Sequence, residues 1–169
     1  MNLREKILGE HSKANCNRIV KWVAHSQKRF DELFNLFLHS EYCVNQRAAW
    51  PLSYCVIAHP EFISKNFSKL VKNLHKPGIH GSIKRNTVRL LQHVSIPKKF
   101  DGEIMNICFH YISSHTEPVA VKAFSLSILQ QLSKQYPGIR RELKLIIEER
   151  WPHETAAFHS RSKKVLQTL

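Results

Sequence analysis

The stretch Glu117–Glu149, EPVAVKAFSLSILQQLSKQYPGIRRELKLIIEE, decides how this chain is read. Its apolar residues recur at helical spacing on both sides of Tyr136-Pro137-Gly138. Proline cannot continue a helix and glycine loosens a connection, so the stretch reads as two helices joined by a tight turn. The first of the two is apolar on almost every side. A helix of that kind is buried on several faces at once, and a partner on one side does not suffice.

Working outward, helical periodicity continues through most of the chain, and no sustained period-two alternation signals a strand. The pattern also repeats. Phe30, Phe62, Phe100 and Ile139 open comparable helices at spacings of 32, 38 and 39 residues. Phe30 and Phe100 each follow two basic residues and precede Asp31 and Asp101. A second set of helices carries a basic residue early, at Arg47, Arg85, Lys122 and Arg161, spaced 38, 37 and 39. Pro60, Pro97 and Pro137 fall at or near the turns that follow the first three of these. The unit is therefore helix, turn, helix, about every 37 residues. One such pair cannot bury its own apolar face, whereas a stack can. The expectation is one all-α domain over residues 1–169: a capping helix near 12–25 and four pairs at about 27–58, 60–95, 97–135 and 138–169. Pro51 lies inside a second helix, where it should bend that helix or mark a later start.

The start of the helix in the opening stretch resembles the HEAT and armadillo class of repeats. Pro118, Val121, Lys122, Ala123 and Leu126 are similar to the HEAT pattern of proline, then valine and a basic residue, then small and apolar residues. Asn45–Tyr54 and Ser82–Gln92 fit it more loosely. The resemblance spans about residues 27–169 and implies a HEAT-like solenoid, a right-handed α-α superhelix. It further implies an interaction scaffold that uses the surface of its second helices. One bacterial HEAT-like group, the alkylpurine DNA glycosylases, removes alkylated bases held on a concave basic face. The present chain is similar to it in architecture alone, because no residue matches that group's catalytic aspartate.

Composition sets further bounds. The 169 residues suffice for a sizeable core. No apolar run is long enough to span a bilayer, so no membrane association is expected. The first residues, MNLREKILGEHSK, place charges where a signal peptide would have its apolar stretch, and a cytoplasmic protein is expected. Cys16, Cys43, Cys55 and Cys108 form no Cys-x-x-Cys pair and read as reduced, mostly buried thiols. Lys and Arg total 26 against 13 Asp and Glu, a net charge of +13. Such an excess supports solubility and attraction to polyanions.

The ladder Arg47, Arg85, Lys122 and Arg161 is the main candidate site. Equivalent positions in stacked repeats lie roughly 10 Å apart. Cations at that spacing suit a phosphate backbone or an acidic peptide. Lys84, Arg89, Lys163 and Lys164 lie close by in sequence. The same rungs also suit an architectural role, bonding carbonyls or acids of a neighbouring turn. Lys65, Lys69, Lys72 and Lys76 form a second stripe on a first helix, where a solvated face is the simpler reading. Tyr42, Tyr111, Trp151 and Phe158 are candidate exposed aromatics.

Catalytic chemistry finds little to work with. The interiors of the second helices hold no Asp or Glu. Asp31, Glu41, Asp101, Glu117 and Glu154 sit at or near helix starts, where the macrodipole accounts for them. Eleven histidines raise a metal reading, with Cys55 and His59 or His75 and His80 as pairs, but no arrangement completes a site. No cofactor, metal or catalytic residue is expected. The reading is a non-enzymatic binding module for a protein partner, monomeric or weakly self-associating. The alternative is sequence-nonspecific binding of DNA or RNA through the basic ladder, and a DNA-repair solenoid is a more distant one.

Overall fold

The computed structural model describes residues 2–169. Ten α-helices and no strand occur among them. They form two compact units, one ending at Ser95 and one spanning Ile96–Leu169. The N-terminal unit holds α1 (Leu3–Gly9), α2 (Lys13–Val23), α3 (Gln27–His39), α4 (Tyr42–Ala58), α5 (Phe67–Leu74) and α6 (Gly81–Leu91). The C-terminal unit holds α7 (Asp101–Ser113), α8 (Val119–Gln135), α9 (Arg140–Arg150) and α10 (Ala156–Leu166). α1 precedes the segment at which the sequence reading places its first helix.

Local chemistry fixes the helix starts. The Ser12 hydroxyl accepts from the Asn15 amide at 3.1 Å, and the Ser26 hydroxyl from the Arg29 amide at 3.4 Å. Each satisfies an amide that has no partner inside the helix. The His80 ring does the same for α6, with Nδ1 accepting from the Ser82 amide at 3.1 Å. Gly78 supplies the left-handed backbone (φ 69°) in the connection to α6. Three first helices begin in a 3₁₀ turn, Pro60–Asn66, Lys98–Phe100 and Pro137–Ile139. Pro60 and Pro137 sit at the start of theirs, where a missing N–H costs nothing, so these prolines begin a helix as well as end one.

α4 is the centre of the N-terminal unit, packing on α1, α2, α3, α6 and the 3₁₀ turn. It runs unbroken for 17 residues through Pro51, so the later start allowed by sequence does not occur. Surrounding contacts outweigh one lost backbone bond because Pro51 and its neighbours Ala49, Leu52 and Ser53 are all buried. Phe30, Phe34 and Phe37 of α3 line up inside the same core, successive ring centroids about 6 Å apart, with Phe62 5.2 Å from Phe30. α8 holds the corresponding place in the C-terminal unit, packing on α7 and α10. Val121, Leu126, Ile128 and Leu129 are wholly buried, which accounts for its apolar circumference.

The repeat is written in hydrogen bonds as well. Asp31 Oδ1 accepts from Asn66 Nδ2 at 3.0 Å and from Gln27 Nε2 at 2.9 Å. Asp101, at the matching position of the other unit, accepts from the Tyr136 hydroxyl at 2.6 Å. Each aspartate therefore reaches a residue 35 positions further on, tying one helix pair to the next. Sequence reading assigns these acids to the helix dipole alone; they are also ties between repeats.

Candidate binding face

The four rungs of the basic ladder have different fates. Lys122 is 3 % exposed, and its Nζ lies 2.6 Å from Glu154 Oε1. That oxygen also accepts from Arg150, Nη2 at 2.7 Å and Nε at 3.1 Å. Arg150 Nη1 lies 2.8 Å from the His115 ring. Burial alone would push the Glu154 carboxyl up, but the two cations together outweigh it and hold the group below the usual carboxylate range. Lys122 is a structural rung with no surface to offer, because a lysine that is not paired is not tolerated at that depth. Arg47 is half-buried, and its Nη1 donates to the Leu8 carbonyl at 2.6 Å, tying the end of α1 to α4. Arg85 is exposed on α6 and makes no ion pair or hydrogen bond among the described residues. Arg161 is half-buried on α10 and equally uncommitted.

Lys84 is half-buried on α6, and Lys163 and Lys164 are exposed on α10 beside an open depression that includes His159 and Gln167. The Arg89 guanidinium lies 4.6 Å from the Tyr54 ring centroid. A hydrogen bond from Arg89 is the main reason the Tyr54 phenol sits below its ordinary value. In the second stripe, Lys65, Lys69 and Lys72 are exposed, while Lys76 donates to the Leu38 carbonyl at the end of α3 at 2.9 Å.

Around Arg85 the structure assembles what sequence reading leaves scattered. A cavity of about 140 Å³ opens between α4 and α6, lined by His11, Gln46, Trp50, Ser82, Arg85 and Asn86. The His11 ring meets Trp50 edge-on at 5.7 Å. Asn86 is buried and fixed by its donation to the Ser82 carbonyl at 2.9 Å. On α4 the residues Tyr42, Gln46, Trp50 and Tyr54 follow one another at four-residue steps, so they wind slowly along one side of the helix. At the Tyr42 end the ring is 58 % exposed and rests edge-on against His80. At the other end stand Tyr54 and Arg89. The two segments that build this face, 42–54 and 80–93, contain Arg47, Lys84, Arg85 and Arg89 and no acid. The four-residue spacing of the α4 side chains is visible in the sequence; their alignment with Ser82, Arg85 and Asn86 across the gap is not.

Of the other aromatic candidates, Tyr111 and Phe158 are buried, because helical packing turns them inward. Trp151 is half-buried and stacks on His159 at 4.2 Å. Burial pushes the Cys16 thiol up to about 11, against a smaller pull from Arg89, and the Cys55 and Cys108 thiols up to about 12. Thiols of that kind are protonated and unreactive near neutrality. Cys43 is half-buried. His59 packs against His25 and Phe62, and His80 caps α6. No group of three His, Cys, Asp or Glu side chains converges among the described residues. No helix among them is long and apolar enough to cross a membrane.

A family model described as a HEAT repeat domain matches residues 3–169. No curated protein matches the chain, and no solved structure does.

Proposed function

Because the chain belongs to the HEAT repeat domain family, whose members generally act as protein-interaction scaffolds, we propose that it is a non-enzymatic binding module for a protein partner. The observation that carries this reading is the α4–α6 face, where exposed Arg85 stands uncommitted beside Trp50. Tryptophan, tyrosine and arginine are the residue types that dominate binding energy at protein interfaces. The acids support it from the other side. Asp31, Asp101 and Glu154 are each engaged in structural hydrogen bonds, so none is poised as the carboxylate that base excision would require.

A photo-crosslinking residue at position 46, within the face, tests the reading. In nuclease-treated lysate it should give a discrete protein adduct that Trp50→Ala abolishes. Absence of any adduct, or an adduct indifferent to Trp50→Ala, would remove the scaffold reading.

The second reading is sequence-nonspecific contact with DNA or RNA phosphates, favoured by the uncommitted Arg85 and Arg161 and by exposed Lys163 and Lys164. If it holds, oligonucleotide affinity falls steeply with salt, and Arg85→Ala lowers the salt slope by about one. Binding that is insensitive to salt, or no binding at low micromolar protein, rules it out.

A further inference from the structure

We infer that the α4–α6 groove binds a linear acidic segment of a partner protein, with one carboxylate seated on Arg85 inside the cavity beside Trp50. The inference rests on the scaffold reading and specifies its partner.

The cavity wall presents one unpaired guanidinium, the amides of Gln46 and Asn86, the Ser82 hydroxyl and the Trp50 ring. A guanidinium offers two parallel N–H donors that match the two oxygens of a carboxylate. Near the surface, Arg85 loses little hydration before the partner arrives, and the Trp50 wall excludes water once it does. With about 140 Å³ available, the cavity accommodates a side chain of ordinary size.

Charge selects the sign of the ligand. Arg47, Lys84, Arg85 and Arg89 occur in the segments forming the face, with no Asp or Glu among them. Arg47 and Arg89 are held by Leu8 and Tyr54, yet their charge still attracts an anion. A nucleic-acid backbone would call for successive free cations along its path. Here only Arg85 of the three arginines is uncommitted, and Lys122 is buried. One free guanidinium sharing a cavity with the Trp50 ring fits a discrete acidic anchor in preference to a phosphate track.

The stripe from Tyr42 to Tyr54 covers twelve helical steps, roughly 18 Å. An extended peptide rises about 3.3 Å per residue, so roughly five residues span it. The Tyr42 and Tyr54 rings then flank the central carboxylate and suit apolar side chains one or two positions away.

The test uses the full chain and a fluorescein-labelled ten-residue peptide rich in Glu and Asp with two leucines. A second peptide carries Gln and Asn in place of the acids. In fluorescence anisotropy the acidic peptide should bind, and the amide peptide should bind at least about tenfold more weakly. Arg85→Glu should weaken the acidic peptide by a similar factor, and Trp50→Leu should weaken it too. Arg161→Glu on α10 should leave it within about twofold. Circular dichroism confirms that each variant is folded; Arg85 is exposed and its replacement leaves the core intact. Equal binding of both peptides, indifference to Arg85→Glu, or no binding of the acidic peptide overturns the inference. Tighter binding of a single-stranded oligonucleotide through Arg85 also overturns it, in favour of nucleic acid. If the acidic peptide fails while the adduct from position 46 persists, the acidic-segment assignment falls and the scaffold reading stands. If both fail, both fall.

Discussion

Lys122 shows how far a single residue can mislead. It keeps register with three other basic residues, yet its ammonium is buried against Glu154 and shares one carboxylate oxygen with Arg150. Two buried cations thus depend on one anion. Glu154→Ala strands both and should cost about 3–5 kcal/mol in urea denaturation. Lys122→Met should cost clearly less, because Arg150 keeps its partner and methionine fills similar space. Comparable losses for the two variants would mean that the charges are not what holds this corner together. The carboxyl of Glu154 is held below its unfolded value, so its contribution is fully present above the unfolded pKa. Stability should therefore fall as the pH drops through the folded pKa, and Glu154→Gln should flatten that part of the profile.

Helices here are specified at their ends by capping groups and along their length by burial. Ser12 caps α2 through a bond to the Asn15 amide, so Ser12→Ala should lower stability by about 1 kcal/mol. The aromatic file on α3 acts on a larger scale. Phe34 is 1 % exposed between Phe30 and Phe37, and Phe34→Ala should cost about 3–5 kcal/mol, read from the same urea transition. A loss under about 1 kcal/mol would show that the core collapses to fill the space. Both the caps and the apolar faces are legible in the sequence, because each acts within one or two helical turns. The continuity of α4 through Pro51 is not. A proline inside a helix argues for an interruption locally, and only the packing of α1, α2, α3 and α6 around α4 overrides it.

At the scale of the whole molecule, charge and repetition dominate. A net charge of +13 disfavours any compact state through self-repulsion. Raising salt from low to moderate ionic strength should therefore raise the midpoint of thermal unfolding by a few degrees, by screening. A midpoint that falls instead would show that attractive surface pairs outweigh the repulsion. The sequence by itself determined the all-α class, the helix-pair repeat and the likeness to HEAT proteins, because helical periodicity and a recurrence of about 37 residues are one-dimensional properties. It also determined that the segments 42–54 and 80–93 contain no acid, whereas the structure brings Glu10 to a small cavity with His11, Arg47 and Trp50. Only the tertiary structure decided which cations remain available. A side chain's freedom depends on what lies 30 or more residues away, as with Arg47 at Leu8 and Lys122 at Glu154. The same long-range packing left Arg85 unpaired beside Trp50, since no neighbouring segment supplies an acid or a carbonyl to cover it.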